Sequence, residues 1–196
     1  MNAPAAQLFV GADGLHRCHW CAASPAYIAY HDLDWGRPRT DDRELFEVLS
    51  LEAFQAGLSW LTILNKRESF RRAFRNFEPA NVARFGPRDV ERLLLDAGIV
   101  RHRGKIESTI NNAGRLMELR AEAGPFAGFV ERYRPAAPSP RLPRLPRSEC
   151  AESKQLSKDL KARGWRFVGP TTVYAFMQAA GLVNDHAPGC HLRRSR

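Results

Sequence analysis

Two groups of metal-capable side chains stand at opposite ends of this chain. His186 and Cys190 are four residues apart with His191 beside them, while Cys18, Cys21 and His31 crowd the other end. Two soft ligands from each end would make a four-coordinate zinc site. Such a site joins the termini and keeps no open position for water, so its role is structural. Cys18-x-x-Cys21 is also a zinc-knuckle spacing, and the spacing alone leaves the ligand set open among these six residues. Free thiols and surface histidines are the plainer alternative.

A different chemistry centres on Glu52. Asp41 can cap a helix with Glu44 three residues on, and Leu45, Val48 and Leu49 form its apolar stripe as far as Gly57. Glu52 lies seven residues after Leu45 and three after Leu49, so it falls on the stripe that should face the core. A carboxylate there is costly without a partner. The partner is either one of the many Arg residues or a ligand that brings hydrogen-bond donors or positive charge. Trp60, just past the Gly57-Leu58 break, can reach the same pocket, and Trp20, Tyr27 and Tyr30 cluster earlier. Aromatics at helical spacing usually belong to a core, but flat rings beside a buried acid also make a slot for a planar cationic base.

Gly169-Pro170 is a tight turn that opens a helix, and Arg163-Gly164 ends the helix before it. Free N–H groups at such a helix-hairpin-helix can hold a phosphate oxygen without reading any base. The second helix should stop at Gly181, with Asp185 and His186 just beyond it.

The elements that must position these groups read as helices. Ser59 can cap one that carries Trp60, Ile63, Leu64, Phe70 and Phe74. A short helix runs from Pro87 to a stop at Gly98, and Ile106 to Met117 mark a longer one ending before Gly124-Pro125. Two more are expected at about 153–163 and 170–180. Strand signals are absent, and the expected fold is all-α. Residues 135–147 hold five Pro and three Arg and read as an extended connector.

At 196 residues the chain suits a single domain, expected over 18–196 after a disordered extension at 1–17. Nothing resembles a membrane span or a secretory signal. Four sparse cysteines favour a reducing cytoplasm over a disulfide scaffold. The charge is uneven: residues 1–65 hold 4 Lys/Arg against 8 Asp/Glu, and residues 66–196 hold 26 against 13. Arg makes up 25 of the 30 cations, and its planar fork suits phosphate contacts, so the basic part points toward nucleic acid. Walker-type phosphate loops, a dinucleotide fingerprint and a serine nucleophile elbow are missing.

Four blocks carry a family resemblance: Cys18-His-Trp20 with Tyr27-Ile-Ala-Tyr30-His31-Asp32 and Trp35-Gly36; Leu51-Glu52 through Gln55-Ala-Gly57-Leu58-Ser-Trp60; Asp96-Ala-Gly98 through Lys105-Ile106; and Gly181 through Asn184-Asp185-His186 and Gly189-Cys190. In this order they resemble the bacterial DNA-3-methyladenine glycosylase I family, a zinc-containing branch of the helix-hairpin-helix DNA glycosylases. The resemblance implies excision of 3-methyladenine from double-stranded alkylated DNA by a monomer, with the free base as product. It implies structural zinc on Cys18, His31, His186 and Cys190, with Cys21 and His191 as surplus donors. It also implies that Glu52 is the catalytic residue and forms the base pocket with Tyr30 and Trp60, with Tyr27 near by, and that Gln55, Gly57 and Leu58 wedge into the duplex while Gly169 contacts it.

Related lyases carry a Lys in the hairpin for a Schiff base. Val168-Gly169-Pro170-Thr171-Thr172 has none, which implies a monofunctional glycosylase. Asp185 stands near the position of a catalytic Asp in relatives, yet directly precedes His186, so a role on the metal side is an equal expectation. The competing class is a zinc-stabilised damage-binding module without catalysis, which gives no reason for an acid on an apolar stripe.

Overall fold

A computed structural model of the chain describes residues 8–136 and 147–193. The connector expected at 135–147 falls almost wholly outside them. The chain divides into two compact units, one built from its two ends and an internal stretch (Met1–Pro38, Met177–Arg196 and Pro135–Arg147), the other from Arg39–Arg134 and Ser148–Phe176.

The fold is mostly helical, as expected, with one addition in the first unit. Residues 8–18, read as lacking strand signals, carry a short hairpin in which β1 (Leu8–Val10) pairs antiparallel with β2 (His16–Cys18), Leu8 opposite Cys18. Strands of three residues are too short to show a period of two, which is why pattern reading misses them. Packing makes them stable. Leu8, Trp20 and Leu192 cover the buried Cys18, Ala187 and Cys190, so the hairpin is held by the C-terminal segment. Helix α1 (Pro25–Leu33) follows, with Pro25 in its first turn and the Ser24 hydroxyl accepting the Tyr27 N–H at 3.2 Å. Gly181 has φ +72°, and a Cβ there would lie 2.7–2.8 Å from backbone atoms of Gly36, Arg37 and Pro38. Only glycine allows this close approach of the C-terminal segment to the chain at 36–38.

The second unit is helical. Helix α2 (Asp42–Gln55) starts where expected, with Asp41 accepting the Glu44 N–H at 2.9 Å. Ser59 caps α3 (Trp60–Ala73) by accepting the Thr62 N–H at 3.2 Å. The rings of Phe54, Phe70 and Phe74 meet between α2 and α3 and just past the end of α3, with centroids 4.6 Å apart for Phe54–Phe70. A short α4 (Pro79–Val82) and α5 (Pro87–Leu95) lead to α6 (Arg103–Ala123), which packs on α2, α4, α5 and α7 (Phe126–Glu131). Ile106, Ala113, Leu116 and Leu119 give α6 its buried stripe. Helix α8 (Ala151–Ala162) and helix α9 (Pro170–Ala179) complete the expected helix-turn-helix within a residue or two of its predicted bounds.

Candidate functional site

Four donors converge in the first unit. Cys18 comes from the end of β2, His31 from α1, and His186 and Cys190 from the segment after α9. All four are buried, and their ligand atoms lie within 4.8 Å of one another. His31 turns Nε2 toward the Cys190 Sγ at 3.4 Å. His186 turns Nδ1 toward the two thiols at 3.6–3.7 Å. Cys21 does not join them, because its thiol donates to the Cys18 carbonyl at 3.1 Å. His191 faces the Asp32 carboxylate at 3.2 Å instead. The choice among six donors, open in the sequence, is thus narrowed to four.

The electrostatics suit a cation. Burial pushes the Cys18 thiol up and pulls the His31 and His186 imidazoles down, His186 to about 3. Two neutral imidazoles are ready as ligands. The buried Cys18 thiol, by contrast, favours ionising only when a positive ion stands beside it. This donor set of two sulfurs and two nitrogens fits zinc. Trp20 and Trp35 wall the cluster, Trp35 edge-on to His186 at 4.7 Å and Trp20 edge-on to His31 at 5.3 Å. Trp20 also brings Tyr27 (5.0 Å) and Tyr30 (6.4 Å) together as the sequence suggested. Asp185 accepts from the Gln178 side chain at 2.8 Å.

Glu52 lies in the second unit, on the buried face of α2, and is 5% exposed. Among the described residues no hydrogen bond or ion pair reaches its carboxylate, and burial alone raises its pKa from 4.5 to about 8. Among the described residues, none forms the internal salt bridge that competed for Glu52. Its neighbour Glu47, equally buried, takes that role: Arg71 donates to it at 2.7–2.8 Å and Arg43 at 3.4 Å. Two buried acids on one helix therefore have opposite fates. One is neutralised by the protein, and the other is left to hold a proton.

Three residues beyond Glu52, α2 ends in an exposed loop. Gly57 has φ +81° with open space around its α-carbon, and Leu58 is 40% exposed. The Leu58 N–H donates to the Gln55 carbonyl at 2.7 Å, so the loop is tight, and Trp60 follows as the first residue of α3. A small residue beside an exposed Leu at a tight turn is a shape that can enter a base stack.

Sequence reading gave no role of its own to the residue that holds this loop. Lys105 is buried on α6 and donates from Nζ to the Phe54 carbonyl at 2.8 Å and the Ala56 carbonyl at 2.6 Å. An ammonium at the carbonyl end of α2 answers both the unpaired acceptors and the negative end of the helix dipole. The available signal was Lys105, Thr109 and Asn112, a polar line at helical spacing beside the apolar stripe. Lys105→Met should leave those carbonyls unpaired and lower stability by about 1.5–3 kcal/mol, the range for hydrogen bonds to charged groups. A denaturation midpoint equal to that of the wild type would show that Lys105 does not hold the loop.

The turn between α8 and α9 is also built by side chains. Asn112 bonds both the N–H and the carbonyl of Arg166 at 2.8 Å, and the Ser157 hydroxyl donates to the Val168 carbonyl at 2.6 Å. They hold Phe167 at φ +54°, an uncommon backbone for a bulky residue. Gly169 then precedes Pro170 at the start of α9, where the first N–H groups have no partner within the helix. No helix among the described residues is long and apolar enough to cross a membrane.

Residues 20–194 match the family model described as methyladenine glycosylase. The chain is 49% identical over 180 residues to DNA-3-methyladenine glycosylase 1 of Escherichia coli, covering 90% of this chain and 96% of that one. A crystal structure of 3-methyladenine DNA glycosylase I superposes with a TM-score of 0.86 at 46% identity, covering 91% of this chain and all of the other. A Staphylococcus aureus structure described as the structural basis of 3-methyladenine recognition by that enzyme gives 0.86 at 38% identity, over 92% and 97% of the two chains.

Proposed function

The chain belongs to the methyladenine glycosylase family, and from that premise we propose that it excises 3-methyladenine from alkylated double-stranded DNA in base-excision repair. Residues 18–196 act as one glycosylase domain, a monomer working in the cytoplasm. Glu52 carries this reading: a buried, unpaired acid is expensive to keep, and a cationic base is the partner that would repay it.

Methylation at N3 leaves adenine positively charged while still attached to the sugar. When the bond from C1′ to the base breaks, the electron pair goes to the base, which leaves neutral. Water adds to C1′ and gives up a proton. The leaving group therefore needs little acid catalysis, and the protein's work is to select and extrude the base. Glu52 accepts from the adenine amino group and rewards positive charge on the ring, which normal adenine lacks. Trp60 supplies an aromatic face for a flat base, and Tyr30 and Tyr27 are the further aromatic residues that the family resemblance assigns to base binding. Gln55, Gly57 and Leu58 open the stack, and Gly169 with the start of α9 holds the backbone phosphate.

We assign zinc to Cys18, His31, His186 and Cys190. When bound, it supplies folding free energy to the first unit, because all four positions are taken by protein. The buried thiols and the depressed imidazole pKa values support this.

Incubation with methylated duplex DNA should release 3-methyladenine and leave an intact abasic strand, since the Val168–Thr172 turn offers no Lys amine. Chromatography of the released base and borohydride treatment of the mixture check both parts. A trapped protein–DNA adduct would overturn the monofunctional reading, and no released base would favour a non-catalytic binding module.

A further inference from the structure

A second polar network lies against the metal cluster and reaches outward through the N-terminal hairpin. His31 Nδ1 is 2.7 Å from Asp32 Oδ1. Asp32 in turn receives Arg17 through Nε at 2.9–3.0 Å and Nη2 at 2.8 Å. The same guanidinium reaches Asp13 in the hairpin turn, with Nη1 at 2.8 Å and Nη2 at 2.6 Å. His191 adds a contact to Asp32 at 3.2 Å. Arg17 is 4% exposed, a buried cation held between two carboxylates.

One feature of this network is improbable for neighbours on a helix. His31 and Asp32 are consecutive in α1, and consecutive side chains diverge by about 100° around the axis. Their contact at 2.7 Å needs something outside α1 to pull the Asp32 carboxylate across. Arg17 on β2 does so with a two-pronged grip that fixes the plane of the carboxylate as well as its position. Fixing Asp32 determines His31. With Nδ1–H donated to Asp32, the Nε2 lone pair must point toward the cluster, and Nε2 is the atom that faces Cys190.

We propose that Asp13, Arg17 and Asp32 form a positioning relay, through which the N-terminal hairpin locks the His31 tautomer and ring orientation and so governs how tightly the metal is retained. The hairpin residues in it, Asp13 and Arg17, precede the stretch 20–194 that matches the family model. The proposal rests on the zinc assignment above.

The test is zinc affinity of the full chain, measured by competition with a chromophoric chelator, in wild type, Asp32→Ala, Arg17→Met and Arg17→Lys. Loss of an outer partner of a ligating histidine weakens metal binding by roughly 10–100-fold. Asp32→Ala should fall in that range. Arg17→Met should lose several-fold, and Arg17→Lys should recover part of that loss by keeping the charge without the fork. Nitrogen-15 NMR should show His31 protonated at Nδ1 in the wild type and a mixture of tautomers in Asp32→Ala. If Asp32→Ala does not fold, the two Arg17 variants decide the matter. Wild-type affinity in both, with an unchanged His31 tautomer, would overturn the relay and leave it as a simple tie between hairpin and α1. A wild-type chain that binds no zinc would fail at the first measurement, and that outcome removes the metal assignment along with the relay.

Discussion

Glu52→Gln should weaken binding of 3-methyladenine by about 1.5–3 kcal/mol, the range for a hydrogen bond to a charged group, while leaving the fold intact. The variant keeps shape and one acceptor but has no proton to give up, so it never gains the negative charge that Glu52 takes on when a cationic base replaces that proton, and discrimination against adenine should fall with affinity. Stability should respond in the opposite sense, and pH exposes it. The Glu52 pKa is raised from 4.5 to about 8 by burial, so the folded chain holds a proton that the unfolded chain releases across that window. For an acid shifted upward, the stabilisation is complete below the lower value and disappears as pH rises through the upper one. Wild type should therefore lose about 1.4 kcal/mol per pH unit between pH 5 and 8 through this group, and roughly 5 kcal/mol over the whole span. Glu52→Gln has no such proton, so the stability difference between the two proteins should widen with that slope in its favour. Titration calorimetry with free base checks the hydrogen bond, competition between methylated and unmodified duplex checks the charge discrimination, and melting curves at several pH values check the stability. Unchanged affinity would remove Glu52 from the site, and parallel melting curves would show that its carboxyl ionises freely.

The metal should have the other large effect. Cys18→Ala combined with Cys190→Ala removes both sulfur donors from the cluster. Structural zinc contributes about 10–16 kcal/mol of folding free energy in small peptides that depend on it wholly. The first unit also has its own packing, since Leu8, Trp20 and Leu192 cover the cluster, so a fraction of that figure applies here. A loss of about 4 kcal/mol would lower Tm by roughly 8–16 °C in a chain of this size. A strong chelator should produce the same drop in wild type and none in the double variant. Elemental analysis should find one zinc per wild-type chain. Equal melting temperatures with and without chelator, in protein free of zinc, would show that the four residues are merely a buried polar cluster.

Both effects trace back to residues that stand out in the sequence, but not to the same degree. Helical periodicity alone placed Glu52 on the apolar face of α2, because which face a residue occupies is a local property, fixed by 3.6 residues per turn. The caps at Asp41 and Ser59, the glycine stop after α9 and the helix-turn-helix around Gly169 were legible for the same reason: each depends on residues within a few positions. The family blocks also carried the identities of the four donors that converge in the first unit.

Tertiary structure decided the partners. Glu47 and Glu52 are both acids of α2, and nothing local says that Arg71, 24 residues from Glu47, would turn to one and leave the other bare. Cys21 lies three residues from Cys18 and was an equal candidate by spacing. It is excluded because its thiol is directed to a backbone carbonyl while His186 and Cys190 arrive from more than 160 residues away. Lys105 holds the α2 terminus across 49 and 51 residues of chain, and the hairpin of β1 and β2 gains its order from the C-terminal segment rather than from its own short strands. A sequence shows which groups are costly to bury. Which group neutralises each of them depends on distances through space, and these are fixed only when segments far apart in the chain pack together.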